Sequence, residues 1–228
     1  MDADQDPRPD TDQLPTFQEI YARAGQDFGA IPWAALAADP ALVSWLDQRP
    51  SPPGDHALVI GCGLGDDAEE AARRGYRVTA FDLSPTAIRH CHERFPGSAV
   101  DYHVADLFHL PARWNEAFSL VVEIRTLQSL PLPQRADAAA AIAATVRPGG
   151  QVFVRCLARD DGEPPVSRPW PVSRGELRGF IKAGLREAEF ADQPAAEAHG
   201  RFFTAVYARP GSLNYLSDVS RPETSSGI

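Results

Sequence analysis

Lysine is almost missing from this chain of 228 residues; Lys182 stands alone and arginine carries nearly all the positive charge. Acids outnumber bases, 31 against 22, for a formal net charge of −9. No arginine stripe with interleaved aromatics is present. Phosphate contacts need clustered cations, so no nucleic-acid partner is expected. An anionic membrane surface is disfavoured for the same reason. No apolar run approaches membrane-spanning length, and no charged-then-apolar signal segment opens the chain. Cysteine is scarce: Cys62, Cys91 and Cys156 suggest reduced thiols in an intracellular protein, and a cytoplasmic location is the expectation. Metal-ligand spacing is lacking as well. His90 and His92 flank Cys91 on a predicted helix, where consecutive positions point to different faces. His56 and His199 have no evident partners, and Ser129 lacks the setting of an activated nucleophile. No metal is expected.

What the chain does have is the stretch Ala57-Leu58-Val59-Ile60-Gly61-Cys62-Gly63-Leu64-Gly65-Asp66-Asp67. It reads as a buried strand, a turn with glycine at alternate positions, and a helix start. Arg77-Val78-Thr79-Ala80-Phe81-Asp82 reads as a second strand ending in an acid, 21 positions beyond Gly61. That spacing suits a nucleoside whose charged end meets the glycine turn and whose ribose meets the acid. The pattern is G-x-G-x-G, without the dinucleotide G-x-G-x-x-G. Asp66 and Asp67 suit capping and the helix dipole but repel a pyrophosphate. An amino acid attached to adenosine fits better, which describes S-adenosylmethionine (SAM), with S-adenosylhomocysteine as product. A glycine turn without a ligand is the plain alternative.

Residues 1–13 are Asp- and Pro-rich and are expected to be a disordered tail. A single domain is expected over 14–210, with 14–54 as an N-terminal helical cover, and a loosely ordered tail over 211–228. Thr16 with Glu19 predicts a capped helix start, and a second helix runs from about Pro40 to Arg49. Pro50, Pro52, Pro53 and Gly54 form a linker. Strands are predicted near 57–61, 77–82, 100–105, 118–124, 150–157, 186–193 and 201–208. Helices are predicted near 66–74, 84–94, 134–146 and 173–183. Ser84 with Pro85 marks one helix start, and Pro148-Gly149-Gly150 is read as the stop after the helix near 134–146. The alternation implies an α/β, Rossmann-like, mostly parallel sheet with helices on both faces. Asp160 to Pro171 reads as an irregular excursion.

These features resemble the class I SAM-dependent methyltransferases over roughly residues 16 to 209. Within that class the chain looks like the thiopurine methyltransferase-like small-molecule group. The stretches that carry the resemblance are Ile31-Pro32-Trp33, the glycine turn from Leu58 to Ala68, Val78 to Ser84, Val104-Ala105-Asp106-Leu107-Phe108, and Arg147-Pro148-Gly149-Gly150. Val59 stands where many class members have an acid. The resemblance implies a seven-stranded sheet whose last strand pair is antiparallel. It also implies that Gly61, Cys62, Gly63 and Gly65 wrap the methionine end of SAM. Asp82 would meet the ribose and Leu83 the adenine. Asp106 would meet the adenine amino group, with Leu107 and Phe108 beside the ring, and Tyr21 and Trp33 would cover the cofactor. Glu123 fits the acid that this group has after its fourth strand, with Ile124 in the place of the group's arginine.

The candidates each have a plainer reading. An acid such as Glu123 at the end of the apolar run Leu120-Val121-Val122 is costly unless paired. It is a candidate near the sulfonium or the nucleophile, or a partner for Arg125 or another arginine. His103 and His109 flank the adenine segment and are candidates for proton removal, though lone histidines are more often structural. Arg125 and Trp170 are candidates for the acceptor pocket; Trp170 reads equally as a surface anchor. The expected function is methyl transfer to S, O or N of a small-molecule acceptor by in-line displacement, in a monomer or homodimer. The rivals are a SAM-binding member without methyltransferase turnover and a methyltransferase acting on a protein.

Overall fold

The computed structural model describes residues 15–49, 54–165, 168–194 and 200–211. The expected N-terminal tail, most of the expected C-terminal tail, the linker prolines, His199 and two residues of the 160–171 excursion lie outside the described residues. No described helix is long and apolar enough to cross a membrane.

The sheet is built outward from β1 (His56–Ile60). Parallel neighbours lie on both sides of it: β2 (Arg77–Asp82), and β4 (Phe118–Ile124), with Leu58 opposite Thr79 on one side and Val121 on the other. The sheet then extends through β3 (Asp101–Val104) beyond β2 and β5 (Val146–Arg159) beyond β4. The order is β3-β2-β1-β4-β5-β8-β7, where β8 (Arg201–Ala208) runs antiparallel to both β5 and β7 (Arg186–Pro194). The expected seven strands are all there. A two-residue strand not foreseen, β6 (Val172–Ser173), pairs with the end of β5. The chain moves one way from β1 to β3, then crosses back to β4. That reversal leaves a crevice above the carboxyl ends of β1 and β4, where sheets of this type bind ligands.

Alternate side chains of each central strand go to opposite faces. Leu58, Ile60, Val121, Val152 and Val154 pack with Ile142 of α5 (Arg135–Thr145) and Phe180 of α6 (Arg174–Lys182). On the other face, Ala57, Val59, Leu120, Val122 and Phe153 pack with three helices: α2 (Pro40–Asp47), α3 (Asp66–Arg73) and α4 (Pro85–Arg94). Burial on both faces explains why β1 and β4 read as continuous apolar runs. The first helix, α1 (Phe17–Ala24), starts with the expected capping box between Thr16 and Glu19. It is fastened to the first turn of α4 by one amide: Ser84 Oγ donates to Gln18 Oε1 (2.6 Å) and Gln18 Nε2 donates to Thr86 Oγ1 (2.7 Å).

Two local expectations are corrected. Pro148-Gly149-Gly150 does not end α5. That helix stops at Thr145, Val146 is already extended and pairs with Phe118, and the Pro-Gly-Gly run makes a bulge inside β5. A Cβ on Gly150 would stand 2.8 Å from the Phe118 carbonyl oxygen, so the bulge admits no side chain there. Asp66 and Asp67 do not cap α3; Gly65 is the cap residue and the two acids occupy the first turn. Asp66 is held by Arg94 in a two-pronged pair (2.7 Å each), and Asp67 accepts the Asp39 N–H (2.7 Å).

Phe153 is fully buried and packs against Trp45 of α2 with ring centroids 5.5 Å apart. Phe153→Ala should cost about 3–5 kcal/mol by cavity formation. Urea denaturation checks this, and a loss below about 1 kcal/mol would contradict the packing described.

Candidate functional site

Three glycines follow β1, all with positive φ (57°, 55° and 91° for Gly61, Gly63 and Gly65). Each is approached by a different part of the chain. A Cβ on Gly61 would lie 2.5 Å from Thr126 Oγ1, in the turn after β4. One on Gly63 would lie 3.0 Å from Tyr21 Oη, on α1. One on Gly65 would lie 2.6 Å from Tyr102 Oη, on β3. The positive φ disfavours a side chain at all three, and the space is closed at Gly61 and Gly65 and tight at Gly63.

The carboxylate of Asp82 ties the end of β2 to this turn. It accepts the Gly63 N–H (3.0 Å) and the Ser84 N–H (2.8 Å). Burial pushes its pKa up while these N–H donors pull it back. Beside it, Leu83 is 67% exposed and Phe108 38% exposed, both apolar side chains at the strand ends with nothing over them among the described residues. Leu107 instead turns into the core against α5. Asp106 caps the turn that follows β3 through the Phe108 N–H (3.0 Å), which lowers its pKa.

Tyr21 is 3% exposed and accepts a hydrogen bond from Trp33 Nε1 (3.2 Å), while Trp33 lies edge-on between Phe17 and Tyr21. Cys62 follows Gly61 and is half-buried; the nearby Cys91 thiol and desolvation raise its pKa well above the ordinary range. The turn therefore holds no reactive thiolate.

Glu123 is wholly buried. One of its oxygens accepts the N–H groups of Thr126 (2.8 Å) and Leu127 (2.9 Å); Oε2 has no partner. Burial raises its pKa to about 7 against those bonds. It caps the turn that carries Thr126 against Gly61. Arg125 has a left-handed backbone (φ 65°) and reaches Asp39 at 3.7 Å. The histidines are placed apart from the glycines. His103 Nε2 lies 2.8 Å from Asp101 and its ring meets Trp114, and the exposed His109 pairs with Asp106 (2.8 Å). Trp170 is tied to the turn after β4, its N–H donating to the Gln128 carbonyl (2.7 Å).

Sequence reasoning missed Gln18, Thr126, Gln128 and Arg168. Gln128 is buried, and its side chain accepts the Leu157 N–H (2.6 Å), so it joins the β4 turn to β5. A glutamine in an apolar Leu-Gln-Ser-Leu run was the available signal.

A sequence profile described as a methyltransferase domain matches residues 57–150. The ubiquinone biosynthesis O-methyltransferase of Dechloromonas aromatica (strain RCB) is 35% identical over 200 residues, covering 80% of this chain and 85% of that protein. The chain belongs to the class I SAM-dependent methyltransferases. The protein of the same name from Aromatoleum aromaticum is 36% identical over 124 residues, 54% of this chain and 52% of that one. The chain thus spans about half the length of several curated relatives it matches. The N-methyltransferase NodS from Bradyrhizobium japonicum WM9, solved with S-adenosylhomocysteine, superposes with a TM-score of 0.67 over 85% of this chain and 98% of that one, at 20% identity. A structure from work on thioacetal formation in echinomycin biosynthesis gives 0.70 over 87% and 92%, at 23% identity. At such identities the likeness is one of fold.

SAM is the cofactor of this methyltransferase class, and the residues fit it. The side-chain-free turn presents backbone to a charged ligand end, Asp82 supplies a carboxylate at the neighbouring strand end, and Leu83 and Phe108 leave apolar surface open for a flat base.

Asp82→Ala should weaken S-adenosylhomocysteine binding by about 10- to 100-fold, the scale of one or two hydrogen bonds to a charged group. Calorimetry reads this directly, and unchanged affinity would remove Asp82 from the site. Glu123 makes a pH prediction. Its pKa rises from 4.5 to about 7 on folding. Between those values the unfolded chain gives up a proton that the folded chain keeps, so this group's contribution falls as pH rises, and the loss is complete above the folded value. Glu123→Gln keeps an acceptor oxygen and removes the titration. The variant should gain on the wild type between about pH 5 and about pH 8 in urea denaturation. An equal difference at both would contradict the assignment.

Proposed function

We propose that this chain methylates a small molecule, with SAM held at Gly61–Gly65, Asp82, Leu83 and Asp106 and covered by Tyr21 and Trp33. The observation that carries the reading is the convergence of α1, β3 and the β4 turn on three glycines beside the Asp82 carboxylate. Bound SAM supplies a methyl group on a positively charged sulfur. The chain's own residues bind, orient and exclude water. Asp82 holds the turn and the ribose hydroxyls. Thr126, fixed by Glu123, closes one side of the turn, and α1 with Trp33 closes another. Domain limits of 14–210, with 14–54 as the cover, follow from the same reading.

The acceptor side is formed by the cover, the run after β4 including Arg125, and the loop carrying Trp170. The two sequence relatives from ubiquinone biosynthesis are named as O-methyltransferases, which supports an oxygen acceptor ahead of sulfur or nitrogen. The thiopurine-like subgroup rests on narrower ground, the Ile31-Pro32-Trp33 segment and Val59. His103 and His109 pair with Asp101 and Asp106 rather than with the glycine turn, so we place the proton that the acceptor oxygen loses with solvent. The net charge of −9 favours a small acceptor over a nucleic acid.

Radiolabelled SAM, incubated with the chain and a panel of phenols, thiols, amines and halides, tests the proposal. Label should pass to phenols first. Tight SAM binding with transfer to none of the panel would favour the reading without turnover.

A further inference from the structure

We propose that Arg168 recognises the methyl acceptor and that the acceptor is a small planar acid, bound through its carboxylate to the edge of this guanidinium. The inference rests on the methyltransferase reading and names its substrate class.

Arg168 lies in the loop between β5 and β6, two residues before Trp170. Its Cζ is 5.7 Å from the ring centre of Phe17 and 5.4 Å from that of Trp170. The rings belong to opposite sides of the site. Phe17 is on α1 and packs edge-on against Trp33, which bonds to Tyr21 above Gly63. Trp170 is bonded to Gln128, in the turn whose Thr126 lies against Gly61. The guanidinium therefore bridges the cover and the acceptor-side loops.

Among the described residues it has no counter-charge there. Other arginines near this edge are matched: Arg155 by Asp39 (3.1 Å), Arg135 and Arg159 by Glu176 (2.9 and 2.8 Å). Among the described residues no carboxylate lies within ion-pair distance of Arg168, and its Nε is shut off from water without a hydrogen-bond partner. Arg125 shares the unpartnered Nε but has Asp39 at 3.7 Å. A buried donor without an acceptor is costly; the half-buried residue keeps its terminal N–H groups, not Nε, as the edge a ligand oxygen reaches.

Chemistry selects the ligand. Rings near the guanidinium leave its N–H edge as the polar face, and two parallel N–H groups match the two oxygens of a carboxylate. Phe17, Trp33 and Trp170 provide aromatic walls that suit a flat body. The whole chain repels anions through its net charge of −9, so an acid docks here only if a local unpaired cation receives it.

The test is calorimetric, on the full chain saturated with S-adenosylhomocysteine. The probes are 3,4-dihydroxybenzoate and its neutral counterpart 3,4-dihydroxybenzamide. The wild type should bind the acid at least about tenfold more tightly than the amide. Arg168→Met should bind both alike, and Arg168→Lys should keep part of the preference because it keeps the charge without the fork. Affinity for S-adenosylhomocysteine and the melting temperature should stay unchanged in both variants. Equal affinities in the wild type, no binding of either probe, or an acid preference that survives in Arg168→Met would each overturn the proposal. Failure of S-adenosylhomocysteine itself to bind would instead overturn the methyltransferase reading beneath it.

Discussion

Between Ile60 and Asp66 the backbone is approached from three sides, closest at its alternate glycines. Thr126 and Tyr102 make crowding as well as turn geometry the reason for glycine at 61 and 65, while at 63 the positive φ carries most of the requirement. The rest of the architecture serves that convergence. The β4 turn reaches Gly61 because buried Glu123 gathers its N–H groups. Helix α1 reaches Gly63 because Gln18 fastens it to α4. The end of β2 reaches the same turn through Asp82. A change at any of these positions is felt by the others through the glycine backbone.

Charge is arranged with the same economy. Asp66, Asp67 and Asp39 lie near the turn, yet Asp66 is neutralised by Arg94 and Asp39 by Arg155. Burial lifts the pKa of Asp67 to about 6, so it sheds part of its charge as the pH falls toward that value. The acids that argued against a pyrophosphate in the sequence are thus mostly internal fasteners. They shape the turn more than they repel a ligand.

The strands and helices were legible because burial on two faces leaves continuous apolar runs, and the helix starts carry side chains that cap them. Thr16-Glu19 and Ser84-Pro85 are such cases. Pro148-Gly149-Gly150 was misread because a helix stop and a strand bulge need the same residues; only pairing between Phe118 and Val146 separates them. In the site, the glycines and Asp82 were legible from spacing. Glu123 stood out as an acid ending an apolar run, but its partners are backbone N–H groups three and four residues on, which have no signature in side chains. The left-handed backbone at Arg125 and the lack of a counter-charge for Arg168 among the described residues are properties of tertiary neighbours. No local pattern announces them.

The fastening of α1 has a bearing on exchange. Tyr21, Ile31, Leu64 and Ala87 form a small apolar cluster of their own, separate from the two cores that flank the sheet. One amide side chain, this cluster and the contacts of Phe17 with Arg168 and of Tyr21 with His90 hold the first helix in place. Releasing it breaks no strand pairing and opens neither of the two main cores, so it can open without global unfolding. The traffic of a nucleoside in and out of the crevice can then follow the rhythm of a single peeling helix, while the sheet stays intact.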